Sequence, residues 1–472
     1  MSIAIAGIGL ATAQGNTAQI VEAKPPRSAA VLPWTPNKWN LSRVCYPAVE
    51  IDSSLSGVVR WRALVKRALD DLGELSRETP LLVASCNGDA SRNWEQAFET
   101  TALLEDTRWA ADRLPVFSSS CASGIHALFA AQQLLLAGAA SEVLVLAADI
   151  LSQSNHENFE SLRVLAEKPS APWQSTSQGF ILGEAAVVLK LVRADSEGQS
   201  IDLELRSDLD DYDGLSGVLG GLSLGDTSLI LGQGTGPFEN DNAELAAFSA
   251  FVDKHVALAT PLSNFGHTLG ASGLLAIALG ALTCKMGLLL PSLTSDVAEA
   301  MDGRIFCMGG PPSPRRQVLT TCRALNGACG ATVVGENVPA KAQRRKDGWR
   351  RSVRPGPLMN QTLKRLALEA SDYRPPNPPD VLILRIEKPL SPPASAIIGD
   401  RLLPSAVLEI TPGFASQLLA RCWGFAGPAL CIVGDVDHNV YGLDSAFQES
   451  GLNVFQVNLR GSGDNRAIEW NV

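Results

Sequence analysis

From Ile125 to Ala140 the chain is apolar on nearly every side of a helix, with Gln132 and Gln133 the main polar interruption. A helix of that kind needs apolar partners all round, so the chain must build a large core about it. Ahead of it stands Ser118-Ser119-Ser120-Cys121-Ala122-Ser123-Gly124. A cysteine at a helix start meets backbone N–H groups that have no partner of their own. Their partial positive charge is expected to favour thiolate over thiol, which makes Cys121 a candidate nucleophile. One cysteine among nine is by itself more often inert packing.

A second, almost wholly apolar helix is expected at Leu274–Leu282, opened by Asn264-Phe265-Gly266-His267-Thr268-Leu269-Gly270-Ala271-Ser272-Gly273. Two buried helices, each behind a small-residue turn with one reactive side chain, predict a duplicated architecture. Their N-termini, bearing Cys121 and His267, could meet at one site. Around them, apolar runs predict strands at 3–9, 81–85, 143–148 and 228–231 and a buried strand after the Gly179–Gly183 turn. Alternation at 201–205 reads as an edge strand. Helices are expected near 60–72, 91–105 and 242–252. Strands alternating with helices imply an α/β fold with a mainly parallel, helix-covered sheet.

The net charge of −10 argues against nucleic acid as a partner. An odd number of unevenly spaced cysteines, without CxxC pairs, argues against a disulfide framework and a zinc site. Ala6-Gly7-Ile8-Gly9 looks like a dinucleotide loop, but position 12 is Thr12 where a third glycine is needed, so it reads as a tight turn. With no basic leader and no purely apolar run of about 20 residues, the expectation is a cytoplasmic protein without a membrane span. His126 is expected as a hydrogen-bonded core histidine, His156 and His438 as exposed, and His255 at a helix end. Glu184 is expected to be structural.

Composition changes after residue 340. Seven positive charges between Lys341 and Arg354 stand against one from Asp347, and Pro375-Pro376-Asn377-Pro378-Pro379 follows as a stiff linker. The final unit, 381–472, begins with a strand at Val381–Ile386 and should pack on the core. Its 426–446 stretch echoes the region around Cys121, with Val436 where a cysteine would stand. The expected division is thus 1–195 with the nucleophile, 196–340 with the histidine, a linker at 341–380, and a degenerate repeat or cap at 381–472.

Taken together, SSSCASG, GFILGEAAVVL, GQGTG, GHTLGASG and the glycine-rich turn at Asn326–Gly330 resemble the β-ketoacyl synthase family of the thiolase superfamily, over roughly residues 1–340. The resemblance implies a five-layer αβαβα fold of two similar halves, usually dimeric, as a homodimer or with a second ketosynthase. It implies acyl groups carried on the phosphopantetheine of acyl carrier protein or on coenzyme A, and no bound cofactor or metal. Cys121 would be the nucleophile, His267 the base that activates an acceptor, and Cys121, Cys329 and Gly330 the oxyanion and acyl pocket.

Departures matter as much. Gln233 replaces the first histidine of HGTGT; Leu262 and Ala276 replace a lysine and an acid that flank the second. Cys329 takes the place of a phenylalanine, and fewer residues precede Cys121 than is usual, so part of the dimer-side cap should be missing. A kept nucleophile with a missing first histidine resembles non-elongating ketosynthases, which accept and pass on an acyl chain without extending it. The alternatives are a true condensing enzyme and a non-catalytic partner like the chain-length factors.

Overall fold

The computed structural model describes residues 3–22, 30–31, 44–76, 78–89, 96–167, 172–174, 177, 179–194, 199–207, 213–286, 317–336, 338, 360–370, 372–390, 397–398, 401–402, 410–462 and 466–471. Five strands make the large sheet of the first half: β1 (Ile3–Thr12), β2 (Leu81–Ala84), β3 (Val116–Phe117), β4 (Glu142–Asp149) and β5 (Ala185–Arg193). They lie in the order β3-β2-β4-β5-β1, the first two pairings parallel and the last two antiparallel. The next five, β6 (Gln199–Ser207), β7 (Thr227–Leu231), β8 (Ala257–Ala259), β9 (Gln317–Arg323) and β10 (Ala328–Gly335), repeat this strand for strand as β8-β7-β9-β10-β6. A short ladder, Ile3–Ile5 against Gln199–Ile201, joins the two sheets.

Helices occupy matching slots. The first half has α1 (Gly57–Leu72), α2 (Thr100–Leu103) and α3 (Ser123–Leu136), followed by α4 (Gln153–Ser161); the second has α5 (Asp213–Leu219), α6 (Phe238–Phe251) and α7 (Ser272–Met286). The period of two along each strand sends alternate side chains to opposite faces. Val145 and Val187 of the first sheet and Leu203, Leu229 and Val318 of the second share one core with Ile125, Leu128 and Phe129 of α3 and Leu274 and Ile277 of α7. Leu144 and Leu146 face the other way, onto Trp61 and Leu64 of α1. Ile230, Leu319 and Val333 likewise meet Val218 of α5 and Phe248 of α6. The result is five layers, helix–sheet–helix–sheet–helix, the thiolase-like arrangement of two similar halves. Leu269–Met286 is apolar and long enough to cross a bilayer by composition, yet 83% of it is buried in this sandwich.

Beyond β3 the sheet continues into β11 (Val381–Ile386), β12 (Ala429–Val433), β13 (Val454–Arg460) and β14 (Ala467–Asn471), with α8 (Gln361–Glu369), α9 (Pro412–Trp423) and α10 (Leu443–Glu449). This last unit packs on the core through β12, which pairs with β3.

Several expectations need correction. β6 is not an edge strand: β10 and β1 flank it. Its alternation arises because Glu204 and Arg206 turn towards α5 and the turn after it, where Gly217 and Gly221 leave room for their stems. In the stretch 91–105 only Thr100–Leu103 is helical, and 91–95 and the basic run 341–354 lie outside the described residues. His156 is buried on α4, His438 is half-buried, and only His255 is exposed.

Glu184 is fully buried, accepts hydrogen bonds from Ala48 N (2.8 Å) and Leu151 N (3.0 Å), and pairs with the buried Arg60, whose Nε donates to it at 2.8 Å. Removing one member of such a pair strands the other charge. Glu184→Ala is therefore expected to lower the unfolding free energy by about 3–5 kcal/mol in urea denaturation. Adding Arg60→Met should restore most of it; a Glu184→Ala loss within error of zero would refute this role.

Candidate active site

The turn ahead of α3 is fixed residue by residue. Ser118 donates its N–H to Cys431 O (3.0 Å) and its Oγ–H to Cys86 O (3.2 Å). Ser119 N donates to Ser123 Oγ (2.9 Å), which itself reaches Ser120 O at 2.5 Å. Ser120 adopts φ +54°, a left-handed conformation that costs a residue with a Cβ and persists only where its surroundings impose it. The sharp bend delivers Cys121 two residues before α3 begins.

Burial disfavours the thiolate expected from the helix end. Burial pushes the Cys121 thiol up, the Asp149 carboxylate pushes it further, and its own N–H pulls back only in part, leaving it at about 12. A helix terminus contributes about 0.3–1 kcal/mol, up to ~2 kcal/mol at best. Full burial of a charge can move a pKa by about 3–5 units, so desolvation wins. Asp149, at the end of β4, accepts from Ser85 Oγ (2.7 Å), Cys86 N (2.9 Å), Asn87 N (3.2 Å) and Gly270 N (2.8 Å). Burial nevertheless raises it to about 6. It thus ties the nucleophile half to the histidine turn.

His267 donates its backbone N–H to Ile181 O (2.7 Å), and its carbonyl accepts from Gly183 N (3.0 Å). Its Nδ1 accepts from Leu269 N (3.1 Å), so the ring proton sits on Nε2. Burial depresses the imidazole to about 4, and it stacks on Phe180 with centroids 4.6 Å apart. At neutral pH it is an uncharged hydrogen-bond donor, where the sequence led us to expect a base.

Gln233 is held at both ends. Its N–H donates to Glu244 Oε1 (2.8 Å), its carbonyl accepts from Thr260 Oγ1 (2.8 Å), and its Oε1 accepts from Arg323 N (2.9 Å). That assigns the amide orientation and leaves the buried Nε2 without a protein partner. Cys121, Gln233 and His267 line one open pocket, about 670 Å³ with its solvent-filled mouth included, together with Phe159, Phe180, Leu215, Arg323 and Leu325. Leu262 and Ala276, the apolar replacements of a charged pair, line a smaller neighbouring cavity of about 300 Å³.

Cys329 and Gly330 do not reach the Cys121 cavity. Both lie in β10, flanked on each side by an antiparallel partner, so their amides are turned into the ladders. The end of β9 and the turn after it, Thr321 to Leu325, take that place.

Sequence reasoning missed two carboxylates. Glu244 accepts from Gln233 N, Gly234 N (2.9 Å), Trp173 Nε1 (2.8 Å) and Thr321 Oγ1 (2.7 Å); Asp241 accepts from Gly236 N (2.8 Å) and Trp173 N (2.6 Å). The polar cluster at the start of α6 was the only signal for them. His126 is also unlike its expectation: neither ring nitrogen has a hydrogen-bond partner, and burial lowers it to about 3. Among the described residues no group of three His, Cys, Asp or Glu is placed to hold a metal ion.

Comparison with known proteins agrees with this fold. The β-ketoacyl synthase N-terminal domain matches residues 115–196 and the β-ketoacyl synthase C-terminal domain residues 220–296. The highly reducing polyketide synthase alnA of Emericella nidulans is 27% identical over 251 residues, 46% of this chain and 10% of that protein. Nodulation protein E of Rhizobium leguminosarum bv. trifolii is 27% identical over 205 residues, 38% of this chain and 51% of that one. The chain therefore matches only a tenth to a half of these relatives' lengths. Among solved structures, the PfaC keto synthase–chain length factor superposes with a TM-score of 0.73 at 14% identity, covering 98% of this chain and 74% of that chain. The ketosynthase ApeO, in complex with its chain length factor ApeC from Xenorhabdus doucetiae, gives 0.57 at 18% identity, covering 71% of this chain and 98% of its own.

A thiol near 12 has a thiolate fraction that still rises tenfold per pH unit at alkaline pH. The rate of iodoacetamide alkylation at Cys121, located by peptide mass spectrometry, is expected to keep climbing through pH 10. A plateau below pH 9 would show a primed thiolate instead.

Proposed function

As a member of the β-ketoacyl synthase family of the thiolase superfamily, this chain is, we propose, an acyltransferase that loads an acyl group on Cys121 and passes it on without decarboxylative extension. The observation that carries this reading is the pairing of Gln233 with a neutral His267 on the Cys121 cavity. Each has an N–H to offer, and neither holds a positive charge at neutral pH.

Loading suits such a site. Cys121 Sγ attacks the carbonyl carbon of a thioester, the new C–S bond forms, and the bond to the carrier sulfur breaks. The Cys121 proton ends on the departing thiol, so no net charge is created. His267 Nε2–H and Gln233 Nε2–H can donate to the carbonyl oxygen as negative charge develops there. In release, an acceptor thiol, alcohol or amine attacks the acyl-enzyme, and its proton returns to the Cys121 sulfur. Decarboxylating a malonyl thioester would instead leave an enolate held by two uncharged donors. Losing one well-placed electrostatic donor of this kind typically costs about 3–4 kcal/mol, or several hundredfold in rate.

The family resemblance and the neighbours paired with a chain length factor support a carrier-borne acyl donor, on acyl carrier protein or coenzyme A, with no further cofactor. They also support a paired arrangement, with a second ketosynthase-type unit beside the nucleophile half. One observation favours a second reading, a non-catalytic partner: the burial of the Cys121 thiol, which pushes its pKa up.

Incubation with an acyl thioester is expected to give an acyl adduct on Cys121 that is absent from Cys121→Ala. No adduct would leave the non-catalytic reading. With malonyl thioester the wild-type chain should release little carbon dioxide, and Gln233→His should raise that release by about 100-fold or more. Rapid release by the wild type would establish a condensing enzyme.

A further inference from the structure

The strands of the last unit lie in the order β12-β11-β13-β14, with parallel, parallel and antiparallel pairings. Both halves of the core use this sequence of positions, three-two-four-five. The helices agree as well: α8 precedes position two, α9 joins two to three, and α10 joins three to four, as α1, α2 and α3 do. Leu443, Ala446 and Phe447 of α10 enter the same core as α3 and α7, while Leu363 of α8 and Leu418 of α9 cover the opposite face. Only position one, held by β1 and β6, has no counterpart among the described residues.

We propose that this unit is a shortened third copy of the half-unit, carried in the same chain as the partner of the nucleophile half, and that its α9 positions the Cys121 turn. Its place in the sheet is the first argument. Position three meets position three: Ile432 pairs with Phe117 and Val433 with Val116, antiparallel. Two half-units related by a two-fold axis would meet in this way. Phe129 of α3 and Phe447 of α10 face each other across the seam, centroids 6.1 Å apart. With β12 in place, β3 has no open edge to offer a second copy of the chain.

The unit also touches both turns at the cavity. Cys431 O takes the N–H of Ser118. Gly413, in the first turn of α9, lies so close that a Cβ there would stand 2.5 Å from Ser119 Cα and 2.7 Å from Ser118 O. Arg421 Nη2 donates to Asn326 O (2.8 Å), in the other turn at the cavity. No cysteine stands in this unit at the place that Cys121 takes in the first half. The loop after β12, which corresponds to the Cys121 turn, reads Gly434-Asp435-Val436-Asp437-His438.

Two measurements on the full chain decide the matter, and neither depends on acyl transfer. Light scattering should give a single-chain particle of 49.9 kDa across micromolar concentrations; a two-chain particle overturns the in-chain partner. Gly413→Val should move Ser119, loosen the burial of Cys121 and speed its iodoacetamide alkylation by about tenfold or more, the effect of one pKa unit. Cys422, half-buried at the far end of α9, is the internal reference. An unchanged Cys121-to-Cys422 ratio in a variant that melts like the wild type overturns the positioning role. Should Gly413→Val fail to fold, Arg421→Ala gives the readout from the Cys121 alkylation rate itself, because Arg421 also acts on the neighbouring Cys422 thiol: a raised Cys121 rate supports the role, and an unchanged one overturns it.

Discussion

Everything at the cavity depends on α3 and α7 packing between the two sheets. Each helix is apolar all round, so neither can rest on a surface, and the space between two inner sheet faces is where both can be covered. Once they lie there, the turns ahead of them have little freedom. Gly270 shows how close the halves come: a Cβ on it would stand 2.6 Å from Cys86 N and 2.7 Å from Asp149 Oδ2. The meeting of Cys121 with His267 is thus a consequence of core packing. It asks for no special interaction between the two side chains.

The same burial decides their charge states. It drives the Cys121 thiol up and the His267 imidazole down, so both are neutral where an exposed pair could exchange a proton. Leu262 and Ala276 extend this to the neighbouring cavity, at the two positions where the resemblance implies a lysine and an acid. A buried pair of that kind is costly unless fully satisfied, and losing both members together avoids a stranded charge. A site of this character suits a reaction that exchanges one neutral thiol for another. On the proposed reading it would offer little to one that must hold a carbanion's charge.

The sequence carried the architecture well. The all-round apolar pattern of 125–140 and 274–282 was enough to place both helices inside, and the strands at 81–84, 142–149 and 381–386 fall within a residue or two of their apolar runs. Failures cluster where a property depends on what packs above a residue. A helix start can be read from SSSCASG, but not the desolvation that outweighs it at Cys121. Alternation in β6 records a polar face, not a position at the edge of the sheet. Glu244 and Asp241 organise the GQGTG turn from a helix of their own, 5 to 11 residues from the turn amides they bind, and their role appears only once α6 folds back. Cys329 and Gly330 were placed by a glycine-rich pattern that belongs to a strand interior.

The missing position in the last unit follows from how the units are joined. In the core, position-one strands connect the halves, β1 to β6 through Ile3–Ile5 and Gln199–Ile201. A unit attached through position three has no such joint to make, so a first strand would add length without a partner. Its sheet can then stop at β14, an exposed edge. There Arg460 Nε donates to Glu469 (2.6 Å), and charged residues at the rim oppose pairing with another chain. Among the described residues the unit keeps the strands that build the seam and the helices that cover them, and shows no counterpart of the one strand whose role elsewhere is to link a further half.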